Sequence, residues 1–355
     1  MKILIDIGHP AHVHLFKNFA KEVLLHDHEV FFTCREKEFE KYLLTSYGFS
    51  FKSFGKKYSS IPGKLLGMIK FDVKEFISGL RFSPDIFLSH GSIYAAHASF
   101  LLGKPHISLE DSGNMEQIRL YKPFTNVIIT PDVLKENLGD KQIRYRSYHE
   151  LAYLHPNYFK PNDSVYDYLK LSKNEKYCIV RFVSWNATHD EGQKGFSDNE
   201  KNQLIDYLSD KMKVYISSES DLPIEFRKYQ IYIPPEKIHD ALYFASLVIS
   251  EGATIASEAG LLGTTSFYVN SIRRSYCQDQ ERFNLVYNFQ NSYSALMKIK
   301  EIIIDKKKLS KQSEARHSLI SSKIDTTAFL VWFVENWPES YRIMKANPEY
   351  QERFR

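Results

Sequence analysis

Short apolar, β-rich runs alternate along this chain with stretches whose apolar residues recur every three or four positions. In the first half the runs fall at Lys2–Ile7, Val30–Cys34, Asp85–His90, His106–Leu109 and Asn126–Thr130. Helical spacing appears between them, near His12–Leu25, Lys37–Tyr47, Ser92–Leu102 and Pro131–Gly139. A run of period two followed by a stretch of period 3.6, repeated at this spacing, predicts a doubly wound parallel sheet. The rhythm fades over Lys141–Asp163, where Pro156 and Pro161 indicate a connection between domains. A second series then predicts strands at Tyr177–Val183, Lys213–Ser218, Ile231–Ile233, Leu247–Ser250, Thr265–Val269 and Leu285–Phe289. Its helices fit Asp198–Ser209, Glu236–Ala245, Thr254–Leu262 and Ser292–Ile304. The tail reads as a helix rich in aromatics, with Phe329, Trp332, Phe333 and Trp337.

A chain of 355 residues exceeds the size at which one core keeps growing. The expected division is therefore 1–160, 161–325 and a tail, 326–355, packed across the junction. Two open sheets in one chain suit two Rossmann-like domains whose carboxyl edges face a central cleft, one substrate held by each. A formal charge of +4 is too small to argue for nucleic acid. The three cysteines, Cys34, Cys178 and Cys277, are far apart and form no Cys-x-x-Cys pair, which fits reduced thiols in a cytoplasmic protein. Asp6 and His9 interrupt any signal-peptide core, and no apolar run is long enough to span a membrane.

Candidate chemistry gathers where predicted strands break into helices. Asp6-Ile-Gly-His-Pro-Ala-His-Val-His14 ends the first strand and opens the first helix. Free amides at such a helix start suit an anion, so Gly8 and His9 are candidate donor-binding residues. His12 adds a side chain that moves protons near neutral pH. His9, His12 and His14 lack a zinc-ligand spacing, so no metal is assigned. Ser250-Glu-Gly-Ala-Thr-Ile-Ala-Ser-Glu258 repeats the strand-to-helix turn in the second half. Gly252 and Ala253 allow close approach of the backbone, Thr254 caps the helix, and Glu251 and Glu258 stand beside it. The other predicted strand ends there carry Arg181, Ser184, Trp185 and His189, then Ser217, Ser218 and Glu219, and His239 opens a helix. Arginine suits phosphate, and tryptophan stacks on a base or sugar. In the first half, Glu110 and Asp111 follow a strand end and are candidates for a general base or for orienting a histidine. The phosphate-binding Gly-x-x-x-x-Gly-Lys-Ser/Thr loop, the dinucleotide Gly-x-Gly-x-x-Gly and the hydrolase Gly-x-Ser-x-Gly are all missing.

The blocks Asp6–His14, Ser89-His-Gly91, Gln142–Pro156, Arg181–Phe196, Pro235–Asp240 and Glu251–Ala259 resemble an uncharacterised bacterial and archaeal family of GT-B-like proteins. More distantly the layout is similar to the peptidoglycan N-acetylglucosaminyltransferase and to the UDP-N-acetylglucosamine 2-epimerases. That resemblance implies a GT-B fold of two Rossmann-like domains, with a nucleotide-sugar, UDP-linked by preference, held mainly by the second. Glu258 would then hold the ribose and the amides of Gly252–Thr254 the diphosphate. Where the epimerases carry His-Gly-Asp-Thr this chain reads His90-Gly-Ser-Ile93, so Ser92 replaces an acid; Glu110 matches another. The expectation is a glycosyltransferase needing no metal or cofactor, acting in surface polysaccharide or glycolipid assembly. Its alternatives are a nucleotide-sugar epimerase or hydrolase, and a binding protein without turnover. His12 would take the proton of a glycan or lipid-linked acceptor, oriented by Glu110 or Asp111. The basic and apolar stretch Lys56–Arg81 reads either as a helix hairpin on the first domain or as a peripheral contact with the inner membrane face.

Overall fold

The computed structural model describes residues 1–56, 61–173, 175–183, 195–218, 221–305 and 312–355. The chain divides into two compact units, Met1–Tyr158 with Lys323–Arg355, and Phe159–Ser322.

The first half contributes strands β1 (Lys2–Ile7), β2 (Glu29–Glu36), β3 (Phe51–Lys56), β4 (Ile86–His90), β5 (His106–Leu109), β6 (Val127–Pro131) and β7 (Gln142–Tyr145). Helices α1 (Pro10–Leu25), α2 (Glu40–Ser46), α3 (Ile61–Phe82), α4 (Ile93–Leu101), α5 (Met115–Tyr121) and α6 (Leu151–Leu154) lie between and after them. The strands form one parallel sheet in the order β3-β2-β1-β4-β5-β6-β7. β1 is buried almost throughout, as a strand covered on both faces must be, and apart from Asp6 its buried positions Ile3, Leu4, Ile5 and Ile7 are apolar. The order reverses between β1 and β4, where Asp6 pairs in register with Ser89. Such a switch point leaves a crevice at the carboxyl ends of the two strands. His9 and Pro10 start α1: the His9 ring accepts from Ala11 N at 3.2 Å, and proline occupies a position whose N–H has no helical partner.

The second unit holds α7 (Val165–Leu169), β8 (Tyr177–Phe182), α8 (Asp198–Ser209), β9 (Lys213–Ser218), α9 (Ile238–Phe244), β10 (Leu247–Ser250), α10 (Ala253–Leu261), β11 (Ser266–Val269), α11 (Ser275–Glu281), β12 (Val286–Phe289), α12 (Ser292–Ile304) and α13 (Ser313–Ser321). Its parallel sheet runs β12-β11-β10-β8-β9, with the reversal between β8 and β10 and Ser250 opposite Arg181. Phe182, Leu204, Leu208, Ile216, Ile249, Phe267 and Ile299 belong to the core on one face. Finally α14 (Thr326–Glu335) and α15 (Glu339–Ala346) return to the first unit. Thr327 Oγ1 donates to Ala152 O at 2.8 Å, Ser147 Oγ to Ile324 O at 2.9 Å, and Phe329 stacks on Tyr145.

Several elements differ from expectation. Pro131–Gly139 is no helix beyond its strand end, because side chains from β7 claim its backbone. Arg144 donates to the carbonyls of Asp132, Leu134 and Glu136, and Gln142 donates to Glu136 O and accepts from Leu138 N. Those bonds satisfy the groups a helix would otherwise pair. β7 itself lies in the stretch expected to be a connection. Ile231–Ile233 adds no strand; a single bridge joins Gln230 to Ile216 before Pro234 and Pro235 end the extension. α2 starts only at Glu40, whose carboxylate accepts from the Lys37 and Glu38 amides ahead of it. The stretch read as a possible hairpin contains one 22-residue helix, α3. Lys57 and the side chains of Ile61, Lys64, Leu65 and Leu66 lie outside the described residues.

Candidate active site

In the first unit the reversal between β1 and β4 gathers three histidines and an aspartate. Gly8 N–H donates to His12 Nδ1 at 3.3 Å, which leaves the proton of a neutral His12 ring on Nε2. The His12 ring lies 4.5 Å from that of His90, centroid to centroid. His90 Nε2 contacts Asp111 Oδ1 at 3.0 Å, and His149, from the turn after β7, brings Nδ1 to 3.2 Å from Asp111 Oδ2. Burial disfavours the His90 imidazolium, but the bond and charge of Asp111 outweigh it and leave the pKa raised. Burial would likewise raise Asp111, yet His149 and His90 hold it well below the usual carboxylate range. The Asp111 carboxylate is thus anionic at neutral pH.

Behind the crevice lies a charged network. Asp6, at the end of β1, accepts from Arg35 Nη1 at 2.7 Å, from Thr33 Oγ1 at 2.9 Å and from Ser92 Oγ. The Arg35 guanidinium sits 4.6 Å from the Tyr94 ring centroid, and Glu75 Oε1 lies 3.1 Å from Thr33 Oγ1, whose own proton goes to Asp6. Burial, reinforced by the Asp6 charge, pushes Glu75 well up. Ser92 also caps α4 by accepting from Ala95 N.

In the second unit the reversal between β8 and β10 brings Arg181 and Ser217 together, with Nη1 donating to Oγ at 2.8 Å. Ser218 follows at the end of β9. α10 begins at Ala253 after Gly252 and has neither a side-chain cap nor an acidic residue in its first turn; Thr254 lies within that turn instead of capping it. Glu251 faces back into the protein. Its carboxylate accepts from Val183 N at 2.9 Å and Phe196 N at 2.8 Å, and burial raises its pKa against those bonds. Glu258 is buried as well, with Oε1 at 3.2 Å from His239 Nε2. Ser184, Trp185, His189 and Glu219 lie outside the described residues.

The family described as protein of unknown function (DUF354) matches residues 1–337. This chain belongs to that family. No curated protein matches it significantly. Among solved structures, the UDP-N-acetylglucosamine 2-epimerase from Neisseria meningitidis bound to UDP-GlcNAc is similar over 94% of this chain and 100% of its own, with TM-score 0.67 and 14% identity. A putative UDP-N-acetylglucosamine 2-epimerase from Listeria monocytogenes covers 94% of this chain and 96% of its own, with TM-score 0.66 and 12% identity. The Streptomyces sp. SF2575 glycosyltransferase SsfS6, complexed with thymidine diphosphate, covers 94% and 99%, with TM-score 0.60 and 14% identity. At these identities the likeness establishes the fold, which is that of GT-B glycosyltransferases and the epimerases related to them.

Within this family member the residues named from sequence fall into two kinds. His9, His12 and Asp111 meet at the first reversal; Arg181, Ser217, Gly252 and Ala253 lie at strand ends or the helix start beside the second. Glu110 is occupied with structure: Oε1 accepts from Ser112 N, Ser112 Oγ and Gly113 N, while Oε2 accepts from Tyr121. His14 turns into packing against Tyr47 and Tyr153. Sequence reasoning assigned no role to His149, Arg35, Glu75 or Asp6. His149 stands in the quoted block Gln142–Pro156, but only the pairing of β7 on β6 carries it to Asp111. Arg35 and Glu75 carried a weaker signal, charged residues within otherwise apolar strand and helix patterns.

Proposed function

We propose that this protein is a GT-B glycosyltransferase that uses a nucleotide-activated sugar, with a UDP-sugar as the preferred donor. The observation that carries the reading is the start of α10. It opens at a topological switch point without a side-chain cap; the Gly252 amide donates to Ser250 Oγ at 3.0 Å, so the amides from Ala253 onward are the ones offered to a diphosphate, and the helix dipole favours negative charge. Protein packing does not require glycine at position 252. Its φ is −94°, and a Cβ there would make only ordinary contact, 3.4 Å from Val183 and 3.6 Å from Ser250. Close approach of a ligand is a reason that packing does not supply.

In this reading the α10 amides and Arg181 stabilise the departing diphosphate. Glu258, held by His239, lies on the ribose side. His12 takes the proton of the acceptor hydroxyl. Acting at Nε2, it needs the tautomer with its proton on Nδ1, giving up the long Gly8 contact, worth about 1 kcal/mol. Glu110 is left out of the mechanism because both its oxygens are engaged. The same engagement, together with Ser92 in place of an acid, disfavours the epimerase alternative, which requires carboxyl groups that can exchange protons.

The acceptor is assigned to a glycan or a lipid-linked sugar. Ile69, Val73, Ile77 and Leu80 form an exposed apolar stripe along α3 at spacings of four, four and three, beside Lys70 and Arg81. A basic and apolar helix face of this kind suits the surface of an anionic bilayer. No helix of the described residues is long and apolar enough to cross a membrane.

Calorimetric titration with UDP-, GDP-, CDP- and dTDP-sugars tests the donor site. One nucleotide is expected to bind saturably, at least tenfold more weakly in Arg181→Ala, and without an added metal at that site. Absence of binding by every donor would overturn the reading. Binding with turnover but no acceptor product would favour the epimerase or hydrolase.

A further inference from the structure

We propose that His90, Asp111 and His149 form a binding site for one divalent transition-metal ion, of the zinc type, in the first unit. The inference goes beyond the transferase reading and rests on this cluster alone. The three residues offer two imidazole nitrogens and one carboxylate oxygen, all within 4.8 Å of one another. They come from three separate strand ends, β4, the turn after β5 and the turn after β7, so the sheet itself sets their spacing.

Each imidazole nitrogen stands near one oxygen of the Asp111 carboxylate at about the spacing an ion requires. Bonds of about 2.0–2.1 Å in a tetrahedral site place ligand atoms roughly 3.3 Å apart. Here His90 Nε2 and Asp111 Oδ1 are 3.0 Å apart, and His149 Nδ1 and Asp111 Oδ2 are 3.2 Å apart. A bound ion would take the place of the proton shared between His90 and Asp111. Imidazole with one carboxylate favours zinc and its first-row neighbours over magnesium or calcium, which prefer all-oxygen sites.

The second observation is the state of His149. Its side chain is 5% exposed, yet neither ring nitrogen makes a hydrogen bond with a described residue. The Asp111 oxygen is close enough, but it lies off the direction in which Nδ1 would donate. A buried imidazole with two unsatisfied nitrogens costs the desolvation of each. Coordination of Nδ1 to an ion beside the Asp111 carboxylate removes one of these costs. Glu110, the adjacent carboxylate, is excluded because the Ser112–Gly113 turn and Tyr121 already occupy its oxygens.

The experiment uses the full chain, stripped with a chelator and titrated with Co²⁺ as a visible-absorbing probe, then displaced with Zn²⁺. One ion per chain is expected to produce a saturable ligand-field band. Affinity should fall at least tenfold in both His149→Gln and Asp111→Asn, with circular dichroism confirming that each variant folds. A Zn²⁺-dependent rise in the thermal midpoint of the unmodified protein provides a second readout that needs no variant. His28→Ala is the control, because His26 and His28 both contact Glu335 at the surface. Failure to saturate, or a band that survives both site variants or vanishes in His28→Ala, would overturn the proposal.

Discussion

Acid is expected to unfold the first unit through one histidine that has no role in the candidate site. His106, at the start of β5, is fully buried, and its two nitrogens are committed in one direction. Thr125 Oγ1 donates to Tyr121 O, so it accepts from His106 Nδ1–H at 2.9 Å. Ser89 Oγ lies 2.9 Å from Nε2 and is itself an acceptor for Ser92 N, so its own proton points at the ring. The neutral ring is fully satisfied and a second proton has no acceptor. Burial lowers the pKa from 6.5 to about 3. Because the folded value is depressed, the unfolded chain binds the extra proton first, and stability is lost as pH falls from about 6.5 toward 3. Between pH 7 and pH 5 the loss amounts to roughly 2 kcal/mol, from about 1.4 kcal/mol for each pH unit below the unfolded pKa. With a urea dependence of about 2 kcal/mol per M, the midpoint should drop by roughly 1 M. Trp332 and Trp337 belong to the first unit and report its unfolding by fluorescence. His106→Gln keeps an acceptor and a donor but cannot titrate. Its midpoint is expected to be lower at pH 7 and to change far less on acidification. An equal acid shift in both proteins would refute the argument.

Three further outcomes follow from the packing. Asp6→Ala strands Arg35 in a buried network and should cost about 3–5 kcal/mol in chemical denaturation, whereas exposed Lys2→Ala should change little. Gly260→Ala places a Cβ 2.6 Å from Val286 Cγ2 and 2.8 Å from Gln280 Oε1, so the second unit should lose about 1–3 kcal/mol, with a matching fall in its thermal midpoint. Val73→Glu on the exposed face of α3 should abolish flotation with anionic vesicles while leaving the circular dichroism spectrum unchanged; flotation that persists would remove the membrane assignment.

The parts legible in sequence are those whose signal is local. β1, β4, β8 and β10 are short apolar runs closed by glycine or polar residues, and α1, α4 and α10 start where those runs break. Both switch points were therefore within reach of pattern and turn chemistry. Pro131–Gly139 misled because its apolar spacing is helical while Arg144 and Gln142, several residues later, hold its carbonyls in another shape. The site was legible as a set of strand ends but not as a set of contacts. No spacing rule links Asp111 to His149, or Asp6 to Arg35 and Ser92, since each pair meets only when a neighbouring strand joins the sheet. Glu110 shows the converse. Its position suggested a catalytic acid, but the turn it opens uses every oxygen it has.

The return of the chain at Lys323 has a consequence for synthesis. The first unit is discontinuous: residues 159–322 are an insertion within it, and its last helices come from the end of the chain. On the ribosome the inserted unit has all of its sequence available before the host is complete. Until Ile324, Thr326, Thr327 and Phe329 arrive, Ser147 Oγ, the carbonyl of Ala152 and the Tyr145 ring lack the contacts these residues bring. The unit that begins first in sequence is thus the one that finishes last, and the nascent chain must keep a complete sheet that lacks its last helices soluble while the insertion folds.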